Sequence, residues 1–180
     1  LSERLKAEAA LLESEETYRS VIDTAPDGFW MIDHKGRILD VNPAYCQMSG
    51  YSREELLEMS IPDLNIHERR EDTLQRIEHL RTTGNAQFLS QHRRKDGSVM
   101  DIEVKVSYWP KHGGRFFAYL RDITEYNKDQ LRLKQAAAVF ENTREAVMVV
   151  NANRRIQMVN KAFVQMTGYS EAQIIGCSPA

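Results

Sequence analysis

The chain has 180 residues, of which 42% are apolar and 28% are charged, and its formal net charge is −2. This composition is typical of a globular protein and excludes a disordered or fibrous chain. No apolar run reaches the ~18 residues that a bilayer span requires, and the near-neutral charge gives no sign of nucleic-acid binding. Two cysteines do not make a disulfide framework, so we expect a reducing, cytoplasmic environment.

The first predicted element is a helix over residues 1–20. Its charged sequence carries a narrow apolar stripe, which consists of Leu1, Leu5, Ala9 and Leu12. Because this pattern is already helical at its first residue, we expect the chain to be a piece of a longer protein.

A β-hairpin and several short helices follow. Strands are predicted at 28–33 and 37–42, with a turn at 34–36. Asn42-Pro43 begins a helix that Gly50 ends, and Ser52 with Glu55 forms a capping-box sequence for the next helix. Helical spacing returns over residues 67–84.

After Gly84, apolar and polar residues alternate with the two-residue period of β-strands. Residues 85–110 predict a long hairpin that turns at Asp96-Gly97. The "KHGG" sequence at 111–114 turns the chain into a last strand. His92 lies in the basic run before Asp96, and we interpret that run as a solvated turn without the interleaved aromatic residues of a nucleic-acid site. The order of elements predicts an α+β fold, in which short helices cover one face of an antiparallel sheet.

The chain repeats itself at a distance of 118 residues. "MSGYS" at 48–52 returns as "MTGYS" at 166–170, and residues 21–60 align with 139–178 without gaps. This period is the length of a domain with a connector. We therefore expect a helix at 1–20, a complete domain at 21–125, a coiled connector at 126–138 and the truncated start of a second domain at 139–180.

The connector carries an apolar seam with heptad spacing, formed by Ile123, Tyr126, Gln130, Leu133, Ala137 and Phe140. Two interpretations stay open. The seam either packs on the chain's own domain or pairs with a second copy in a parallel homodimer, and we favour the homodimer.

The sequence resembles the PAS family through "DGFWMIDHKGRILDVNPAYCQMSGYSREEL", "RRKDGS" and "RFFAYLRDITE". The resemblance implies a five-stranded antiparallel sheet, flanked here by N-terminal and connector helices. It also implies a sensory or signal-relay role in a bacterial histidine kinase or an enzyme of cyclic-di-GMP turnover. The segment itself is then not an enzyme, its output domain lies beyond it, and Asp122, Ile123 and Thr124 relay the signal to the connector.

Members of the family bind several cofactors, and this sequence retains the residues for some of them and not for others. The reactive cysteine of light-sensing relatives is replaced here by Ile61, which disfavours a cysteine–FMN adduct. The axial histidine of haem-binding relatives is replaced by Thr73, which disfavours haem. No metal-binding spacing is present. FAD is the leading candidate if a cofactor binds at all, and a small-molecule ligand or a ligand-free, filled pocket are the alternatives.

Comparison with these relatives also gives candidate pocket residues. Trp30 and Ile32 are predicted to face the pocket from the first strand, and Ile61 adjoins them. Trp30 would either stack on a flat ligand or fill the space. Tyr119 and Arg121 are predicted to face the pocket from the last strand, where Arg121 would bind an anionic group or extend to solvent. Asn42 would either cap the following helix or contact a ligand, and we favour the cap.

Overall fold

The computed structural model of the protein describes residues 3–111 and 113–179. Leu1 of the predicted stripe, position 112 of the second predicted turn and Ala180 lie outside the described residues. The chain divides into two compact units, Leu1–Glu125 and Tyr126–Ala180. Each unit is described separately.

The first unit contains one five-stranded sheet and several helices. The strands are ordered β2-β1-β5-β4-β3, and every neighbouring pair is antiparallel. The predicted α+β fold is therefore confirmed. The elements in chain order are α1 (Glu3–Thr24), β1 (Gly28–Ile32), β2 (Ile38–Val41), α2 (Pro43–Ser49), α3 (Arg53–Leu57), α4 (Ile61–Leu64), α5 (Arg70–Thr83), β3 (Asn85–Arg93), β4 (Val99–Trp109) and β5 (Arg115–Asp122).

Local sequence signals fix the ends of the short helices. The side-chain oxygen of Asn42 accepts the backbone N–H of Tyr45 at the start of α2, and Gly50 ends that helix with a left-handed φ of 76°. Ser52 and Glu55 form the reciprocal capping box of α3. The long helix ends at Gly84, as predicted, but begins at Arg70, three positions after the predicted start.

The core lies between one face of the sheet and the helices. Strands β1, β4 and β5 contribute alternate residues to it, and α2 and α5 cover it from the other side. Helix α2 approaches β1 so closely that a Cβ atom on Gly28 would lie 2.9 Å from Cδ2 of Tyr45. This close approach places the Tyr45 ring directly over β1.

The second unit repeats the beginning of the first. Helix α6 (Thr124–Asn142) leads into β6 (Met148–Val150), β7 (Ile156–Val159), α7 (Lys161–Thr167) and α8 (Glu171–Ile174), and β6 pairs antiparallel with β7. Asn160 caps α7, and Gly168 ends it with a φ of 75°. The repeated sequence motif thus forms the same helix–turn–helix geometry twice.

Neither the described helices of the first unit nor those of the second are long and apolar enough to cross a bilayer.

Candidate functional site

A cavity of about 40 Å³ lies inside the first unit, between the sheet and α5. The predicted pocket residues Trp30, Ile32 and Ile61 all line it. The remaining lining residues are Asn65, Glu68, Thr73, Arg76, Ile77, Leu80, Phe88, Ser90, His92, Val104, Val106 and Ala118. Most of the wall is therefore apolar, and its polar groups come from α5, from β3 and from the segment that precedes α5.

Trp30 is held between two other aromatic rings. Its ring stacks on Tyr45 with centroids 4.8 Å apart and an interplanar angle of 24°. His92 contacts it edge-on, with centroids 5.4 Å apart. Trp30 is only 3% exposed. Among the described residues, its Nε1 is the one buried side-chain nitrogen or oxygen atom without a hydrogen-bond partner. The ring is therefore packed against two aromatic neighbours, while its N–H donor stays unpaired.

His92 lines the cavity, and its predicted place on a solvated turn is wrong. It belongs to β3, it is 2% exposed, and its Nδ1 lies 2.9 Å from Oη of Tyr45. Burial lowers the pKa of His92 to about 4, so its imidazole is neutral at physiological pH. Continuing the inward alternation from Phe88 through Ser90 would have identified His92, because β3 extends to Arg93 before the chain turns.

A hydrogen-bonded polar group lies on the α5 side of the cavity. Glu68 accepts from Nδ2 of Asn65 at 2.8 Å and pairs with Nη1 of Arg76 at 3.3 Å. Asn65 Nδ2 also contacts Oγ of Ser90 at 2.9 Å. The Arg76 guanidinium lies over the Phe88 ring, 4.1 Å from its centroid. Burial raises the pKa of Glu68, and the charge of Arg76 opposes that rise.

The predicted orientation of Tyr119 and Arg121 is wrong. On β5 the residues that face the core are Phe116, Ala118 and Leu120. Tyr119 is 51% exposed and packs edge-on against Phe29 on the opposite face of the sheet. Arg121 forms an ion pair with Asp27, with Nη2 and Oδ2 2.8 Å apart. Neither residue lines the cavity.

Asn42 is a structural residue whose hydrogen-bonding groups are already used. Its Oδ1 accepts the backbone N–H groups of Phe29 and Tyr45, and its Nδ2 donates to the carbonyls of Ile22 and Asp27. It is fully buried and does not line the cavity. Asn160 forms the same type of hydrogen-bond network in the second unit. An asparagine at this position therefore stabilises the fold in both units.

The cavity does not fit a large cofactor. Sites for organic ligands usually have volumes of roughly 300–1,000 Å³, far above the 40 Å³ of this cavity, so an isoalloxazine ring has no room. Thr73, at the position of the haem ligand in relatives, has a hydroxyl that donates to the Arg69 carbonyl at 3.3 Å. Within residues 3–111 and 113–179, no three His, Cys, Asp or Glu side chains are grouped as a metal site.

The junction between the sheet and α6 is connected through Asp122. Oδ2 of Asp122 accepts from Nη2 of Arg94 at 2.6 Å, and Oδ1 accepts from the Thr124 backbone N–H at 2.9 Å. Arg94 Nε donates in turn to the carbonyl of Met48, at 2.8 Å, in the last turn of α2. The Thr124 hydroxyl accepts the backbone N–H of Asp101 on β4 at 2.9 Å. The first turn of α6 is thus bonded to the sheet and, through Arg94, to α2.

The residues of the predicted seam are not buried within the chain. Helix α6 contains no buried residue, and Tyr126 and Leu133 are each 65% exposed. Gln130 and Ala137 are exposed, while Ile123 and Phe140 are half-buried. Helix α1 likewise has no buried residue.

Comparison with known proteins identifies the family. Residues 16–123 match the family described as PAS fold, and residues 132–179 match a family described as PAS domain. The chain belongs to the PAS family. The first unit is a PAS domain, and the predicted family and fold are confirmed.

Three curated relatives of this PAS chain carry the names of sensors or signalling enzymes. It is 29% identical over 132 residues to a methyl sulfide methyltransferase-associated sensor of Methanosarcina acetivorans, covering 72% of this chain and 13% of that protein. It is 28% identical to the sensor histidine kinase TmoS of Ectopseudomonas mendocina, covering 70% and 14%. It is 27% identical to the probable diguanylate cyclase DgcE of Escherichia coli (strain K12), covering 77% and 12%.

A crystal structure of the PAS domain of an HTR-like protein from Haloarcula marismortui has a TM-score of 0.61 and 28% identity, covering 66% of this chain and 98% of that one. The chain spans only about one eighth of the length of the three curated relatives named above. The predicted sensory role is confirmed at the level of the family. The match covers only a small part of each relative, so most of each relative lies outside the matched region.

Proposed function

We propose that this chain is the sensory relay segment of a larger signalling protein, in which the cavity perceives a small molecule and α6 carries the response onward. The output domain of the parent is a histidine kinase or an enzyme of cyclic-di-GMP turnover, in keeping with the names of the relatives. The observation that carries the proposal is the position of Asp122, which bonds Arg94 and Thr124 at once.

A continuous set of contacts joins the cavity to this junction. Tyr45 on α2 stacks on Trp30 and contacts His92, so movement of the cavity wall displaces α2. The carbonyl of Met48, at the end of the same helix, is bonded to Arg94, and Arg94 is bonded to Asp122. A small displacement of α2 would therefore change the anchoring of α6, which is the type of helix shift that signalling domains use.

The test compares two aspartates near the start of α6. Asp122→Asn keeps the side-chain shape but removes the charge that Arg94 contacts. Asp129→Asn changes an exposed ion pair with Arg132 within α6 and serves as the matched control. We expect faster amide hydrogen exchange in the first turns of α6 for Asp122→Asn alone, because the helix loses its anchor.

The same two variants test the relay in the full-length parent. In Asp122→Asn, the output activity of the parent is expected no longer to respond to the signal. In Asp129→Asn, it is expected to respond as in the unmodified protein. If both variants exchange and signal like the unmodified protein, Asp122 is not part of a relay and the proposal fails.

A second candidate function is a ligand-free dimerisation and relay module. Two observations favour it: the cavity beside Trp30 has a volume of only about 40 Å³, and the apolar residues of α6 are exposed. In this case a homodimer forms along the seam from Ile123 to Phe140, and the signal comes from the neighbouring domain through Asp122, Ile123 and Thr124. The two candidates differ in whether the cavity binds a molecule.

A further inference from the structure

The last two residues of β5 hold different helices. Arg121 pairs with Asp27, which follows the end of α1. Asp122, the next residue, accepts from Arg94 and from the Thr124 backbone N–H at the start of α6. One peptide bond therefore separates the contact on the α1 side from the contact on the α6 side.

The ion pair between Arg121 and Asp27 has a defined geometry, although it is partly exposed. Nε of Arg121 lies 3.2 Å from both carboxylate oxygens of Asp27, and Nη2 lies 2.8 Å from Oδ2. Most surface ion pairs contribute little, but a bidentate contact between an arginine and a carboxylate is the arrangement in which they do contribute. The pair joins two segments that are 94 residues apart in the chain.

Asp27 connects this ion pair to α1 through its backbone. Its carbonyl accepts from Nδ2 of Asn42 at 3.0 Å, and the same nitrogen donates to the carbonyl of Ile22 in the last turn of α1 at 3.0 Å. Asp27 is therefore held by Arg121 through its side chain and by Asn42 through its backbone. A displacement of the end of α1 changes both contacts and so acts on the end of β5.

Helix α1 is suited to act as a lever on this ion pair. It has 22 residues, none of which is buried, and a helix of this length extends for about 33 Å. Strand β5, in contrast, lies between β1 and β4 and is held on both sides. Neither Asp27 nor Arg121 lines the cavity. A displacement of α1 therefore has a route to the end of β5 that requires no change in the cavity.

We propose that Arg121 is a positioning residue that couples α1 to α6, so that a displacement of α1 changes the anchoring of α6 with no ligand in the cavity. This inference rests on the proposed relay at Asp122 and gives that relay an entrance through α1. Coupling between two sites is reciprocal. A change that loosens α6 must therefore also loosen α1, and only while Arg121 connects them.

The test measures amide hydrogen exchange by NMR in the last turn of α1, at residues 21–24, in the 180-residue chain. Asp122→Asn perturbs the α6 side of the junction and is introduced into three backgrounds. The first is the unmodified chain, and the second carries Arg121→Gln, which removes the charge that pairs with Asp27. The third carries Arg115→Gln as the matched control, since Arg115 points to the same face of β5 from the other end of the strand.

With Arg121 present, we expect Asp122→Asn to speed exchange in the last turn of α1 by about two- to fivefold, which is the range that one exposed ion pair allows. The response should disappear in the Arg121→Gln background and remain in the Arg115→Gln background. An unchanged α1 in the Asp122→Asn chain overturns the proposal. An equal response in the Arg121→Gln background also overturns it, because the coupling then takes another route.

The two readouts separate this inference from the proposed relay. Exchange in the first turns of α6 tests the anchor at Asp122, whereas exchange in the last turn of α1 tests the coupling through Arg121. A loosened α6 with an unchanged α1 retains the relay and rejects the coupling. If Arg121→Gln does not fold, Asp27→Asn removes the same ion pair from its other side and decides the question.

Discussion

Oη of Tyr45 and Nδ1 of His92 lie 2.9 Å apart in the core, although 47 residues separate them in the chain. Both side chains are almost inaccessible, at 0% and 2% exposure. The contact joins α2 to β3 across the ring of Trp30. A polar contact in this position aligns the aromatic cluster and makes its geometry depend on both elements.

Tyr45→Phe is predicted to destabilise the first unit. The variant keeps the ring that stacks on Trp30 but removes the partner of a buried imidazole nitrogen, which costs about 1–3 kcal/mol. Urea unfolding followed by tryptophan fluorescence measures the change. Tyr126→Phe, at a tyrosine that is 65% exposed, is the control and should stay within about 0.5 kcal/mol. Equal midpoints for both variants would show that the Tyr45–His92 contact contributes nothing.

His92 is predicted to make the stability depend on pH. Burial lowers its pKa from 6.5 to about 4, so between these values the unfolded chain binds a proton that the folded chain does not. The contribution of neutral His92 to the free energy of unfolding is therefore complete above pH 6.5, decreases as the pH falls, and is lost near pH 4. Its size is about 3 kcal/mol, from 1.36 kcal/mol per pKa unit.

The measurement is the free energy of unfolding against pH for the unmodified protein and for His92→Gln. The amide replaces the imidazole without a titrating group. Glu68 titrates with the opposite sign, since burial raises its pKa, but both proteins contain it, so their difference isolates His92. Parallel curves between pH 4 and 6.5 would mean that His92 is accessible to protons in the folded state.

Elements that depend on local signals could be predicted from the sequence. The face of the sheet to which each residue of β5 points could not be predicted. Asn42, Gly50 and Ser52 act within a few residues of the helix ends that they fix, so their roles could be read directly. Strand β5 has apolar residues on both faces, because Phe117 packs on Phe29 outside the core. Its alternation alone therefore could not show that Tyr119 faces outward.

The polar side of the cavity could not be predicted for a similar reason. Glu68, Asn65 and Ser90 look like ordinary surface residues in the sequence, and only the meeting of β3 with the segment before α5 brings them together. The unpaired N–H of Trp30 is likewise a property of packing. Sequence comparison placed Trp30 on the cavity side of β1, but it did not decide between filling the space and stacking on a ligand.

Asn42→Asp is predicted to be strongly destabilising, although Asp is a good N-cap residue. One carboxylate oxygen can still accept from Phe29 and Tyr45, but the other faces the carbonyls of Ile22 and Asp27, each now 3.0 Å from Nδ2. Burial of this repulsion costs about 2–4 kcal/mol. Thermal or urea unfolding measures the loss.

Ser52→Ala is the comparison for this variant, because it removes an exposed cap and costs about 1 kcal/mol. A loss for Asn42→Asp no larger than that of Ser52→Ala would contradict the structural role that the hydrogen bonds of Asn42 indicate.

The predicted homodimer seam can be tested with two leucines of α6. Leu133 belongs to the seam and is 65% exposed, while Leu131 lies outside it and is 56% exposed. Two positions along a helix differ by about 200° in direction, so the two side chains lie on opposite faces.

Leu133→Asp places a charge in the interface of a parallel dimer, and Leu131→Asp places it in solvent. Sedimentation velocity over a range of concentrations should show dissociation for Leu133→Asp only. A monomeric unmodified chain, or equal behaviour of the two variants, would contradict the seam and leave α6 as a helix that does not associate through this face.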